Sequence, residues 1–284
     1  MIEPIRARSR LSAVPEDLRK LGAFLRRDFL VLISYRIGFL SDWFNLAVQV
    51  LILYFVGQLI DPSTLPEYGG SQPSYVEFAA VGIAVASLVQ ANLARVMAAI
   101  RGEQLMGTLE MVFLTPTAPT TVLLGSVVYD LLYVPIRTVI FLVLLTVLLD
   151  LGFSFSAIGP LVIVLLSFIP FLWGLSLIGA GSMLTFRRGG GVAGIVGLVL
   201  VVASGSYFPI SVLPTWLQSF AEKNPVSVAV DGVREALLGT ASVADALSDA
   251  ATILPYAVVS LAVGLVALRL ALRRERRRGT LGTY

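Results

Sequence analysis

Apolar residues run along this chain in blocks of about twenty, separated by short polar patches. A helix of about 20 apolar residues matches a hydrocarbon core about 30 Å thick. The blocks predict six membrane-crossing helices: Gly38–Ile60, Tyr75–Ala99, Leu123–Leu149, Ala157–Leu184, Gly190–Phe208 and Ala250–Leu272. The fold class that follows is an all-α membrane protein. Pro135, Pro170 and Pro255 fall inside these blocks and predict kinks. Gly190, Ala193, Gly194 and Gly197 repeat at the small-residue spacing that lets membrane helices approach closely.

Three further stretches have a different period. In Glu16–Leu32, leucines and phenylalanine recur at spacings of three and four, with Arg19, Lys20, Arg26 and Arg27 elsewhere. That is an amphipathic helix lying in the membrane interface. Its basic residues suit either simple anchoring or a docking surface. The connection after the fifth block is half apolar, and Leu213–Phe220 and Val226–Leu238 both read as short helices, re-entrant within residues 209–240. Asn224 with Pro225 is a helix start, Gly239 a stop, and Ser242 with Asp245 a capping box. The segment 101–116 is too polar to span and too apolar for a free loop. As a helix it sets Glu103 and Glu110 on one face, with apolar surface at Leu109 and Val112, until Pro116 ends it. Such a helix either docks on a partner or lies on lipid, and acidic faces suit an anionic lipid surface poorly.

Charge adds the topology. Eight basic residues precede the first block, Arg95 and Arg101 mark the end of the second, Arg187 and Arg188 follow the fourth, and Arg273 to Arg278 the last. The intervening connections are acidic or neutral. The alternation predicts cytoplasmic termini and a cell (inner or plasma) membrane location. The Arg-rich start lacks a short apolar core with a cleavage site, so a removable signal peptide is not expected. The Arg-rich tail is explained by this topology, without nucleic acid. Cys and His are absent, which excludes thiol chemistry, Cys/His metal sites and a Ser-His-Asp triad. With 14% charged residues and mean hydropathy +0.87, little is left for a soluble domain. The domain division is residues 1–37, a cytoplasmic N-terminus; 38–272, the six-span domain; and 273–284, a basic tail.

Charge inside a span is costly and faces protein or water. Asp130 and Arg137 are inside the third block, on one helix face but about 10 Å apart by helix rise. They are candidates for a pathway or dimer seam, or for structural pairs with other groups. Asp42 and Arg95 are placed near span ends. Aromatic residues gather at Tyr35–Phe44 and at Tyr207, Phe208, Trp216 and Phe220, as interface belts or as a stacking surface. No metal site is expected.

The run Gly107-Thr-Leu-Glu-Met-Val-Phe-Leu-Thr-Pro116, followed by Leu123-Leu-Gly125, resembles the cytoplasmic coupling segment of the membrane subunits of ABC-type exporters of the type-2 family. Ser204-Gly-Ser-Tyr-Phe-Pro209, Leu213-Pro-Thr-Trp-Leu217, Asn224-Pro225 and Asp231-Gly-Val-Arg234 are similar to that family's outer signature. The resemblance implies a dimer of membrane subunits, two copies of an ABC ATPase, and export driven by ATP. It implies that Glu103, Leu105, Gly107, Thr108, Leu109, Glu110 and Pro116 meet the ATPase, with Arg19, Arg26 and Arg27 beside them. It adds Tyr207, Phe208 and Pro209 to Asp130 and Arg137 as pathway or dimer-seam candidates.

The sequence supports the division of labour. A phosphate-binding P-loop needs Gly-Lys followed by Ser or Thr, and Lys20 and Lys223 follow Arg19 and Glu222. No cofactor is expected on this chain; ATP and magnesium belong to the partner, and the chain is not itself an enzyme. The expected cargo is a drug, lipid or other amphiphile, with a lipid-linked polysaccharide or glycolipid as the alternative. An ion-coupled carrier would show midplane acids or repeated halves, and an intramembrane enzyme a cluster of reactive groups. The halves show no repeat and no such cluster is present, so the ion-coupled carrier is kept as the alternative of another class.

Overall fold

The computed structural model describes residues 14–34, 36–68, 70, 72–105, 119–148, 155–185, 190–239 and 241–278. The described residues form nine α-helices: α1 (Val14–Ser34), α2 (Arg36–Gly57), α3 (Tyr75–Leu105), α4 (Pro119–Leu148), α5 (Ile158–Thr185), α6 (Gly190–Val202), α7 (Thr215–Lys223), α8 (Pro225–Leu238) and α9 (Val243–Arg278). A helix stands at each of the six predicted spans. The architecture is that of an all-α membrane protein. Four helices are long and apolar enough to cross a bilayer: α3, α4, α5 and α9. The apolar stretches of α2 and α6 are shorter, Trp43–Gly57 and Ala193–Val202.

The fifth block differs most from the sequence expectation. The apolar pattern continues to Phe208, but α6 stops at Val202. Thirteen residues rise about 20 Å, short of the full hydrocarbon core. The chain turns because Gly205 takes φ +72°, open to glycine and costly for other residues. Ser204 and Ser206 share a hydroxyl hydrogen bond of 2.6 Å across this turn.

Helix ends follow local side-chain chemistry. Asn224 accepts from the Val226 N–H at 3.0 Å, and Pro225 occupies the first turn of α8. The predicted box at α9 forms: the Ser242 N–H donates to Asp245 Oδ2 at 2.9 Å, and the Asp245 N–H to Ser242 Oγ at 3.3 Å. Glu77 and Ser74 make the same reciprocal pair at the start of α3. The second span was expected to end at Ala99, yet α3 runs on to Leu105 and takes in the first residues of the 101–116 segment.

Packing explains why the bundle holds without a hydrophobic effect between lipid-exposed helices. Among the described helices the most extensive seam is α5 against α9. A Cβ added at Gly174 would lie 2.3 Å from the Ser260 carbonyl carbon, and one at Gly264 2.5 Å from the Gly174 oxygen. In α6 the small-residue pattern is used in part: Gly197 admits Leu93 of α3, whereas nothing lies within 4 Å of a Cβ at Gly194. The main core gathers Val81, Leu88 and Leu93 of α3, Phe168 and Leu172 of α5, Val230 and Val233 of α8, and Ile253 of α9. Helix α8 is thus a buried wedge and not a surface lid. Helix α7 stays on the surface, with Trp216 75% exposed.

Helix α1 lies against α4. A Cβ at Gly125 would meet the Phe24 ring at 2.5 Å, so the glycine forms the notch that seats this ring. The face with Phe24 and Leu25 is half-buried, while Arg19, Arg26 and Arg27 are exposed. The amphipathic stripe therefore turns Leu21 and Leu25 toward the bundle, while Phe29 stays exposed.

Candidate functional site

Two polar constellations stand out in this apolar bundle. The first is built around Arg234 of α8, which is 1% exposed. Its Nε donates to the Phe78 carbonyl at 3.1 Å, and Nη2 donates to the carbonyls of Gly205 and Ser206 at 3.0 and 3.1 Å. Nη1 reaches Asp231 Oδ1 at 3.3 Å, and the Tyr68 hydroxyl donates to the same oxygen at 3.4 Å. The guanidinium carbon stacks 3.5 Å from the centre of the Phe78 ring. Gly82 makes room: a Cβ there would fall 1.9 Å from the Ser206 oxygen and 2.6 Å from Arg234 Nη2.

One cation thus joins the start of α3, the turn after α6 and helix α8. A buried arginine is tolerable only when its donors are matched, and here carbonyls and a carboxylate take them. Burial pushes the Tyr68 hydroxyl up to about 12, so the phenol remains a proton donor across the physiological range. Burial also raises the Asp231 carboxyl, with the Arg234 guanidinium pulling it back. Beside this knot is a cavity of about 340 Å³ bordered by Glu67, Tyr68, Pro209, Asp231, Arg234 and Glu235. The Asn224 amide fastens the same end, donating to the Leu200 carbonyl of α6 at 2.7 Å.

The second constellation is inside the spans. Arg95 of α3 pairs with Asp130 of α4 at 3.4 Å and lies over the Tyr133 ring at 4.9 Å. Tyr133 stacks on Tyr129 at 5.5 Å. Asp130 therefore has a partner on another helix. Arg95 was expected near a span end; it lies ten residues before the end of α3, because the helix is longer than its apolar block. Arg137 is buried farther along α4. Toward α5, Ser176 Oγ donates to Asn92 Oδ1 at 2.6 Å.

The other expected site residues are dispersed. The carbonyl of Tyr207 accepts from the Tyr75 hydroxyl at 3.0 Å, and its ring is exposed. Phe208 is half-buried; Pro209 is buried and borders the 340 Å³ cavity. Arg27 holds Asp28 at 2.7 Å and lies over the Phe24 ring. Leu105 is exposed at the end of α3. Gly107, Thr108, Leu109, Glu110 and Pro116 lie outside the described residues, as does the side chain of Glu103. Sequence reasoning noted Arg234 in a motif but did not single it out. The available signal was a basic residue between Val233 and Glu235 in a half-apolar helix. Among the described residues no acidic cluster could hold a metal ion.

The family model for the ABC-2 type transporter matches residues 19–238. Over 109 residues the chain is 33% identical to the linearmycin resistance permease protein LnrN of Bacillus subtilis (strain 168). That stretch is 38% of this chain and 28% of the length of the relative.

Proposed function

The chain belongs to the ABC-2 type transporter family, and we propose that it is the membrane subunit of an ATP-driven exporter whose path forms between two copies. Membership implies an ABC ATPase as the partner in general; two copies of that ATPase, bound at residues 101–116 and near α1, are our reading. The carrying observation is the family match over residues 19–238, which includes most of α1, the 101–116 segment and α8. The contact of Phe24 with Gly125 supports a mechanical role for α1. Helix α4 begins just after the coupling segment, so a push from the ATPase would reach both helices together.

The direction is outward, with the termini in the cytoplasm of a cell membrane and α7 and α8 at the far side. Asp130, paired with Arg95, and Arg137 provide polar groups in the spans beside the path. Closure of the ATPase pair on ATP drives the alternation between inward- and outward-open forms. The cargo is a drug, lipid or other amphiphile; the resistance permease named above supports the drug class. The first test is purification of the tagged chain from its native membrane. A stoichiometric partner with vanadate-sensitive ATP hydrolysis is expected. A lone chain, in detergent mild enough to keep other complexes whole, would overturn the reading.

A further inference from the structure

A second cavity, of about 510 Å³, opens between α5 and α9 beneath the end of α7. Its walls include Phe171 and Leu175 of α5, Val259 and Val263 of α9, and Phe220 and Lys223 of α7. Val259 and Phe220 are themselves exposed, so the groove faces outward from the bundle. Of the wall helices, α5 and α9 are long and apolar enough to cross the membrane. The buried polar side chains of the lining, Asn224 and Ser260, are already used. Asn224 accepts from the Val226 N–H and donates to the Leu200 carbonyl. Ser260 Oγ bonds the carbonyls of Phe171 and Ala257 at 3.2 and 3.0 Å. What fits inside is therefore hydrocarbon.

Lys223 changes the identity of the occupant. The connections at this end, residues 61–74, 150–156 and 209–249, contain just two basic residues, Lys223 and Arg234. Arg234 is buried and its donors are used. Lys223 is exposed and has no ion pair among the described residues. A lone cation set against the charge bias of its face, at the mouth of an apolar groove, complements an amphiphile with an anionic head.

We propose that this groove holds an anionic phospholipid, with an acyl chain along α5 and α9 and the phosphate at the Lys223 ammonium. The site needs only a membrane-embedded bundle and does not depend on the exporter reading. The test uses the full chain in detergent, exchanged with equal phosphatidylglycerol and phosphatidylcholine of identical chains, and native mass spectrometry of what it retains. One lysine near a surface gives about a fivefold preference for the anionic lipid. Lys223→Gln should equalise the two, and Val259→Trp, which fills an exposed wall of the groove, should reduce retention of both. A phosphatidylglycerol with a diazirine in its acyl chain should label residues 171–178 and 256–263. Equal retention by the unmodified chain, a preference unchanged in Lys223→Gln, or label spread over the exposed faces of α2 and α6 would each overturn the proposal.

Discussion

Trp173 donates its indole N–H to the carbonyl of Leu131 at 3.0 Å. Leu131 is four residues before Pro135, and a proline at that spacing cannot supply the helical N–H this carbonyl would otherwise receive. An exposed or buried carbonyl without a donor is costly in a bilayer. The tryptophan of α5 therefore repairs the defect that proline makes in α4. Trp173→Phe should destabilise the bundle by about 1–3 kcal/mol, read as a lower unfolding temperature in detergent. Adding Pro135→Ala should recover much of that loss, because the helix then closes its own bond. If the two changes are simply additive, the repair role is wrong.

The contact between Gly82 and the Arg234 knot gives a second expectation. Gly82→Ala would push a methyl group into the Ser206 oxygen, a backbone atom that cannot swing away. The cost should lie near the top of the range for overpacked cores, about 3 kcal/mol. Gly102→Ala in the same helix meets nothing within 4 Å and should be neutral or slightly stabilising. Equal behaviour of the two variants in a thermal unfolding assay would contradict the packing described around Arg234.

Arg234→Met should be among the most damaging single changes at that end of the molecule. It leaves the Phe78, Gly205 and Ser206 carbonyls without their donor and Asp231 without its cation. The Asp231 side chain is 44% exposed, so most of the cost falls on the unmatched buried carbonyls, about 1–3 kcal/mol each. The variant should show reduced folded yield and faster proteolysis near residues 203–208, measured by limited digestion in detergent. Lysine at this position would not rescue, because one ammonium cannot span the same fork of acceptors.

Much of the fold is legible in the chain. Apolar blocks locate the helices, and caps at Asn224 and Ser242 fix two starts because their chemistry is local. The end of α6 is not legible from hydrophobicity. The turn depends on Gly205 and on Arg234, 29 residues away, which binds its carbonyl. The partnership of Arg234 with Phe78 spans 156 residues, and no periodicity reports such a distance. The α5–α9 seam uses Gly174 and Gly264, whose separation in sequence conceals the contact. Asp130 was visible as an intramembrane charge, but its partner Arg95 was assigned to a span edge, since an apolar block does not show how far a helix continues.

The Arg95–Asp130 pair should be coupled energetically. Arg95→Gln and Asp130→Asn, alone and together, form a double-mutant cycle with an interaction of about 1 kcal/mol in unfolding free energy. The pair is partly exposed, so a much larger value is not expected. A second reading of the same variants, transport by reconstituted complex, separates roles. If the pair only holds α3 to α4, transport should follow stability; if it borders the path, activity should fall in variants that remain folded.

The coupling assignment makes the sharpest functional prediction. Glu110→Lys places a cation where an acidic face is expected to meet the ATPase, while deletion of residues 103–110 removes that face altogether. Membrane insertion depends on the apolar blocks and should survive both changes, as judged by membrane fractionation. ATP-driven export and recovery of the ATPase with the tagged chain should be lost in both. Arg26→Gln with Arg27→Gln gives the comparison on α1, where Phe24 still anchors the helix to Gly125. Loss of those exposed arginines should weaken ATPase recovery, most at low salt where their attraction is least screened. Full transport with Glu110→Lys would show that motion enters the bundle elsewhere.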